Sequence, residues 1–466
     1  MKKILIAVLI LCANNTIAKI WLPTILSDNM VLQQQSEATI WGWTSSTAET
    51  ITVTGSWNNE KVTVKANQGT WSVSLPTPVA GGPYTVIVEG HEKIILENVL
   101  IGEVWLCSGQ SNMAWTADRG ILNPKEEIAK ANYPNIRFFQ VLRNKSATPQ
   151  DNLLGDWKEC TPETMRKFSA VAYLFGRRLH QDLSIPIGLV NSSWGGTPVE
   201  PWIPQELIEA DTELQNATSK LTRNAGRPSD PGVAYNAMIY PIEKFNIAGA
   251  IWYQGESNRA NPLSYYKSFP LLIQAWRTAW HKDFPFYYVQ IAPYNYKSEQ
   301  NISAAIVRDA QLHTMLTVAN TGMVVTNDVG DLTNIHPKNK QEVGKRLALW
   351  ALAKTYGVKD LVFSGPIYKS MEIEKNKIKL SFNYAENGLM QKGKLLNEFF
   401  IAGADQKFFA ASAKIKGNTV VVSSKQVKHP VAVRFAFSDT ALPNLFNQAG
   451  LPASAFRTDD WPIILK

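Results

Sequence analysis

The sequence predicts an α/β protein. Its central domain is a three-layer unit, a mostly parallel sheet covered by helices on both faces, and a β-sandwich-like domain flanks it at each end. Three observations predict this. Apolar strand-forming runs alternate with stretches of helical periodicity from Val99 to about Gly357. Short segments of period-two alternation occupy the chain before and after. Several central strands run into polar or glycine-rich turns, as befits the ligand-binding edge of a parallel sheet. At 466 residues the chain also exceeds what one hydrophobic core supports.

In chain order, residues 1–18 read as an export signal. Lys2 and Lys3 precede the apolar run Ile4 to Leu11, and Thr16-Ile17-Ala18 places small residues at the cleavage spacing. That run is too short to span a bilayer, and no small lipobox residue precedes Cys12, so the mature chain is expected free in the periplasm or secreted. Residues 19–98 carry the strands Ala38–Trp43, Thr50–Thr54, Thr70–Ser74 and Tyr84–Val88, punctuated by Gly81-Gly82-Pro83, and predict the N-terminal β-domain.

Residues 99–360 form the central domain. Strands are expected at Glu103–Cys107, Ile136–Phe139, Ile187–Val190, Gly249–Tyr253, Phe286–Val289 and Gly322–Val325. Helices are expected over Ser169–Leu183, Tyr265–Trp280, Ser303–Thr317 and Lys338–Tyr356. Residues 198–234, with Trp202 and a short helix near Pro204–Thr218, break the alternation and read as an insertion beside the site. Residues 361–466 return to strands such as Ile378–Phe382, Thr419–Val422 and Val431–Phe435, a C-terminal β-domain.

The formal charge of +8 falls to +6 without Lys2 and Lys3, and the lysines are scattered, which argues against nucleic-acid binding. Cys107 and Cys160 remain after processing, either as one bridge or as two buried thiols, and no Cys/His spacing suggests zinc.

The stretch Gly102 to Trp115 concentrates the chemistry. An apolar strand ends at Gly109, and Ser111 and Asn112 follow in a turn. A serine there either projects a nucleophilic hydroxyl over the sheet edge or caps the next segment. A parallel sheet brings three other turns to the same edge: Asn191 to Thr197, Gln254 to Asn258, and Thr326 to Pro337. Of six histidines, His336 alone lies in such a turn, ahead of a helix expected to start at Pro337. Asp331 and Asp328 are near enough to orient it, or else tie down the loop. Gly195, Gly196 and the Gln254 amide are candidate oxyanion donors, while Glu256 reads as a loop-stabilising acceptor. Two carboxylates set for glycosidic cleavage are not evident.

Ser108-Gly109-Gln110-Ser111-Asn112-Met113, Trp252 to Asn258, and Ile335-His336-Pro337-Lys338-Asn339-Lys340 with Gly344 to Ala348 resemble, in order, the motifs of the sialate O-acetylesterase family of SGNH/GDSL-type hydrolases. The resemblance implies an SGNH-type central domain. It also implies an exported serine esterase that removes O-acetyl groups from carbohydrates, O-acetylated sialic acids first, through an acetyl-serine intermediate and without cofactor or metal. It implies Ser111 as nucleophile, His336 as base, and oxyanion and substrate contacts from the Ser111 N–H, the Gly195-Gly196 turn, Gln254, Glu256 and Asn258. Where the superfamily has Asn in its third block this chain has Gln254, and three residues before the histidine it has Thr333 rather than Asp. A Ser–His dyad with Asp331 in support is therefore the alternative to a triad.

Acetylated xylan or another hemicellulose is the alternative substrate, with Arg223 or Arg227 as the residue that would favour a sialic acid carboxylate. A non-catalytic glycan-binding protein, with its 15 tryptophans as stacking platforms, is the alternative of another class.

Overall fold

A large mixed sheet of 11 strands organises the molecule, whose computed structural model describes residues 18–224 and 226–465. The expected export signal thus falls, apart from Ala18, outside the described residues. The strands that position the site are β1 (Lys93–Gly109), β2 (Tyr133–Gln140), β3 (Trp157–Cys160), β4 (Ile187–Ser193), β5 (Gly249–Tyr253), β6 (Phe286–Val289) and β7 (Thr321–Val324). Their order is β3-β2-β4-β1-β5-β6-β7. The pairs β2/β4, β4/β1, β1/β5, β5/β6 and β6/β7 are parallel, and β3 closes one edge antiparallel to β2.

Four helices cover the two faces: α1 (Ala170–Leu183), α2 (Tyr265–Ala279), α3 (Ser303–Thr317) and α4 (Lys340–Lys354). Leu174 and Leu179 of α1 and Val343 and Leu347 of α4 share one core; Phe269 and Trp276 of α2 and Ala304 and Val307 of α3 belong to the other. β1 shows why both cores form. Val104 and Leu106 enter one and Trp105 and Cys107 the other, the period-two consequence of a strand buried on both sides.

The boundary expected after residue 98 falls inside β1. Its first half pairs antiparallel with Gly81–Glu89, and Val31–Gln33 joins it in parallel at Leu100–Gly102. The strand bends at Asn98, which adopts φ +55° and whose amide donates to Asn29 Oδ1 (2.8 Å) and Glu159 Oε1 (3.1 Å). Facing this region, Ile20–Trp21, Glu37–Thr44 and Thr70–Pro76 form a separate three-stranded sheet. Ile40 and Val73 of that sheet join Ile51, Val53 and Val86 in one core.

Residues 198–234 form a short helical turn at Glu200–Trp202 and helices Gln205–Glu209 and Thr212–Ser219, two helices where one is expected. Asp211 divides them, accepting from the N–H groups of Glu213 (2.9 Å) and Leu214 (3.1 Å) as an N-cap. After α4 the chain returns to strands at Ile367–Glu374, and two four-stranded sheets and a two-stranded one follow. This part also completes α3, because the Asp439 carboxylate accepts from Ala304 N–H (2.7 Å) and Ala305 N–H (3.2 Å) in its first turn.

Cys107 and Cys160 are buried and unbridged, and burial raises both thiols, Cys160 to about 12. No helix among the described residues is long and apolar enough to cross a membrane.

Candidate active site

β1 ends at the sheet's carboxyl edge, where Gly109 (φ +135°) runs so close to β5 that a Cβ would lie 2.3 Å from the Tyr253 carbonyl oxygen. The next turn is tight: Gln110 C=O accepts from the N–H groups of Met113 (3.0 Å) and Ala114 (2.9 Å). It presents Ser111, half-buried, at the rim. The buried Gln110 side chain ties this turn to the loop after β5, its Oε1 accepting from Gly255 N–H (3.4 Å) and Ser257 N–H (3.3 Å).

The turn after β4 lies against the same serine. A Cβ on Gly195 would sit 3.3 Å from Ser111 Cβ, and one on Gly196 (φ +76°) would sit 1.9 Å from Arg227 Nη1. Backbone, not side chain, therefore faces Ser111 from this turn. Among the described residues neither Ser111 N–H nor Gly195 N–H has an acceptor.

His336 reaches the same rim from the loop after β7. Its ring stacks on Trp115 with centroids 4.1 Å apart and planes 18° apart, and the Arg119 guanidinium lies 5.6 Å from the Trp115 ring. The Asn112 amide joins the two loops, donating to Glu256 Oε1 (2.6 Å) and to the carbonyl of Ile335, immediately before His336 (3.1 Å). The structure thus brings the Ser111 turn and the His336 loop together. No hydrogen bond links the two side chains among the described residues, and such contacts commonly tighten only with substrate in place. Burial, then Lys340 and Arg119, lower the imidazole to about 4. At neutral pH it is uncharged and able to accept a proton.

Neither candidate carboxylate reaches His336. Asp331 Oδ1 accepts from Thr333 N–H (2.8 Å), Thr333 Oγ1 (2.7 Å) and Asn334 N–H (3.2 Å), which shapes the loop. Asp328 is held bidentately by Arg346 at 2.7 and 2.8 Å. Asp331 lies in the same loop as His336, and satisfying the N–H groups of Thr333 and Asn334 wins over orienting the ring. Pro337 likewise precedes the helix rather than opening it: α4 starts at Lys340, with Asn339 as N-cap accepting from Glu342 N–H (3.1 Å).

The loop after β5 is buried and turned inward. Gln254 donates to Asn258 Oδ1 (2.7 Å) and the Thr197 carbonyl (3.2 Å), and its Oε1 accepts from Tyr265 Oη (2.9 Å). Both amide hydrogens are engaged, so in this arrangement Gln254 braces the glycine turn instead of offering a donor to a ligand. Asn258 accepts from Val199 N–H (2.9 Å) and donates to both oxygens of Glu200 (3.0 Å each). Glu256 is buried with Oε2 unpartnered, and burial raises its carboxyl and that of Glu200.

Arg223 pairs with Asp230 at 3.2 Å on the surface, whereas Arg227, exposed, forms no ion pair among the described residues. Both line a cavity of about 500 Å³ with Lys145, Ser146 and Ser229. The tryptophans are mostly core: Trp105, Trp202, Trp252 and Trp276 are fully buried, which leaves them unavailable for stacking on sugars.

Reading the sequence residue by residue passes over Lys340 and Trp115. Lys340 had a signal, since it shares a helical stripe with Val343, Gly344 and Leu347, and a lysine on an apolar stripe is out of place.

Known proteins resemble this chain over most of its length. A family model described as carbohydrate esterase, sialic acid-specific acetylesterase matches residues 101–353. Sialate O-acetylesterase of Homo sapiens is 33% identical, covering 94% of this chain and 92% of that protein. The Pongo abelii protein of the same name is 36% identical over 79% of this chain and 77% of its own length. The crystal structure of a carbohydrate acetylesterase from Xanthomonas citri superposes with a TM-score of 0.87 at 37% identity, covering 95% of this chain and all of the other.

Proposed function

Since the chain belongs to the sialic acid-specific acetylesterase family of carbohydrate esterases and is a carboxylic ester hydrolase, we propose that it is an exported serine O-acetylesterase of SGNH type acting on O-acetylated sialic acids. The observation that carries this reading is the meeting of the Ser111 turn and the His336 loop at one rim, joined through Asn112 and the Ile335 carbonyl (3.1 Å).

The chemistry follows from that pair. Ser111 Oγ adds to the acetyl carbonyl carbon while His336 takes its proton. The N–H groups of Ser111 and Gly195, without acceptors among the described residues, are the donors that would meet the oxyanion charge. Collapse breaks the bond to the sugar oxygen, which leaves with the proton from His336. Water then adds to the acetyl-serine, giving a proton to His336, and collapse breaks the bond to Ser111 Oγ, which takes that proton back from His336 as acetate is released. With no carboxylate bonded to the imidazole among the described residues, the working unit is a Ser–His dyad, and Asp331 acts on the loop.

Arg227 supports the sialic acid reading over neutral xylan, because an unpaired guanidinium against Gly196 suits a carboxylate. The test is acetate release from O-acetylated sialoglycans and from acetylated xylan, with Ser111→Ala beside the wild type. Release from sialoglycans that Ser111→Ala abolishes is expected; equal rates for the two proteins would overturn the esterase mechanism, and preference for xylan would overturn the substrate.

A further inference from the structure

A lysine stands in the floor of this site, where a charge is costly. Lys340 is 0% exposed, yet it opens α4 four residues after His336. Its Nζ donates to Asn112 Oδ1 at 2.6 Å and lies 5.4 Å from the centre of the Tyr253 ring. On the other side of the same amide, Asn112 Nδ2 donates to Glu256 Oε1 (2.6 Å) and to Ile335 C=O (3.1 Å).

The donor and acceptor inventory fixes this network in one sense. Lys340, which burial lowers to about 7, only donates when protonated, and Glu256 Oε1 accepts on the other side, so below that pH the Asn112 amide has a single orientation. That orientation leaves its second N–H for the carbonyl just before His336. One side chain adjacent to the nucleophile thereby sets the position of the base, and Lys340 sets that side chain.

Resting on the reading of Ser111 and His336 as nucleophile and base, we infer that Lys340 is a positioning residue for that pair: through Asn112 it holds the base loop in register with the nucleophile turn, and its charge sets the range of pH in which His336 works. The groups that face His336 are the Trp115 ring, Arg119 and Lys340, with Asp331 and Asp328 engaged elsewhere. Those that face Lys340 are Asn112, the Tyr253 ring and Glu256. Among the described residues no carboxylate is bonded to the His336 imidazole, so cations and a buried amide do what a triad acid would do for position while acting on basicity in the opposite direction.

Two substitutions separate the two roles. Lys340→Gln keeps an N–H donor for Asn112 Oδ1 and removes the charge; Lys340→Met removes both. The measurement is the pH profile of kcat/KM, and kcat at the optimum, on p-nitrophenyl acetate, with circular dichroism to verify folding. For Lys340→Gln the acid limb is expected to move up by about one pH unit with kcat largely kept. For Lys340→Met kcat is expected to fall about tenfold or more below Lys340→Gln with KM little changed.

An acid limb of Lys340→Gln at the wild-type position overturns the charge role, and equal kcat for the two variants overturns the positioning role. If Lys340→Met does not fold, Asn112→Ala takes its place, with the same fall in kcat at constant KM expected and wild-type kcat overturning the inference. Ser111→Ala and His336→Ala run alongside: full activity in either removes the reading on which the inference rests, independently of Lys340.

Discussion

His336 is an imidazole tuned by burial and by cations. Its ring, lowered from 6.5 to about 4, stays neutral through mildly acidic conditions, so kcat/KM is expected to hold down to about pH 5, well below where a solvent-exposed histidine would be half protonated. The same shift has a sign for stability. The unfolded chain binds a proton at this site between pH 6.5 and about 4 and the folded chain does not, so stability is full above 6.5 and is lost as pH falls through that window. Thermal melting across this range is expected to fall less steeply for His336→Ala than for wild type. Asp331 gives a complementary prediction. A triad aspartate is worth about 10⁴ in kcat, but this carboxylate bonds Thr333 and Asn334, so Asp331→Asn is expected to lower kcat by less than about tenfold. A loss of the larger size in steady-state kinetics would place Asp331 on the imidazole.

At the scale of elements, Ser169 links a helix start to the nucleophile turn. Its Oγ accepts from Ala172 N–H (3.1 Å) as N-cap of α1 and donates to the Met113 carbonyl (2.6 Å) in the turn that carries Ser111. Ser169→Ala is expected to cost about 1–2 kcal/mol in urea unfolding and to reduce kcat through a looser turn.

Elements of this kind were legible in sequence. Helical spacing marks Ser303–Thr317 at its observed limits, and the apolar run 286–289 is the observed strand β6. Turns were legible as turns, but their side-chain partners were not. Gln254 is two-sided, and only the presence of Thr197, Tyr265 and Asn258, brought from three places in the chain, decides that its amide faces inward. The Asp211 cap that splits one expected helix in two is local and was readable; Asp439 capping α3 from 135 residues away was not.

For the whole molecule, the organising fact is that β1 belongs to two bodies at once. The expected domain boundary falls between residues 98 and 99, yet Val99, Leu100 and Ile101 are buried and paired. A chain starting at residue 99 would lack Val31–Gln33 and Gly81–Glu89, the partners of this segment, and would expose its apolar surface and unpaired edge, so it is expected to be insoluble or uncooperative in thermal unfolding. A soluble fragment with a sharp transition and esterase activity would show instead that the central domain stands alone.

Because Ser111, the proposed nucleophile, sits two residues past the end of that strand, the N-terminal β-region is no detachable accessory. Fusion partners, affinity tags or surface tethers could not take the place of this region. Swapping the region for that of a relative would succeed only as a transplant that also carries the bend at Asn98 and its contacts with Asn29 and Glu159.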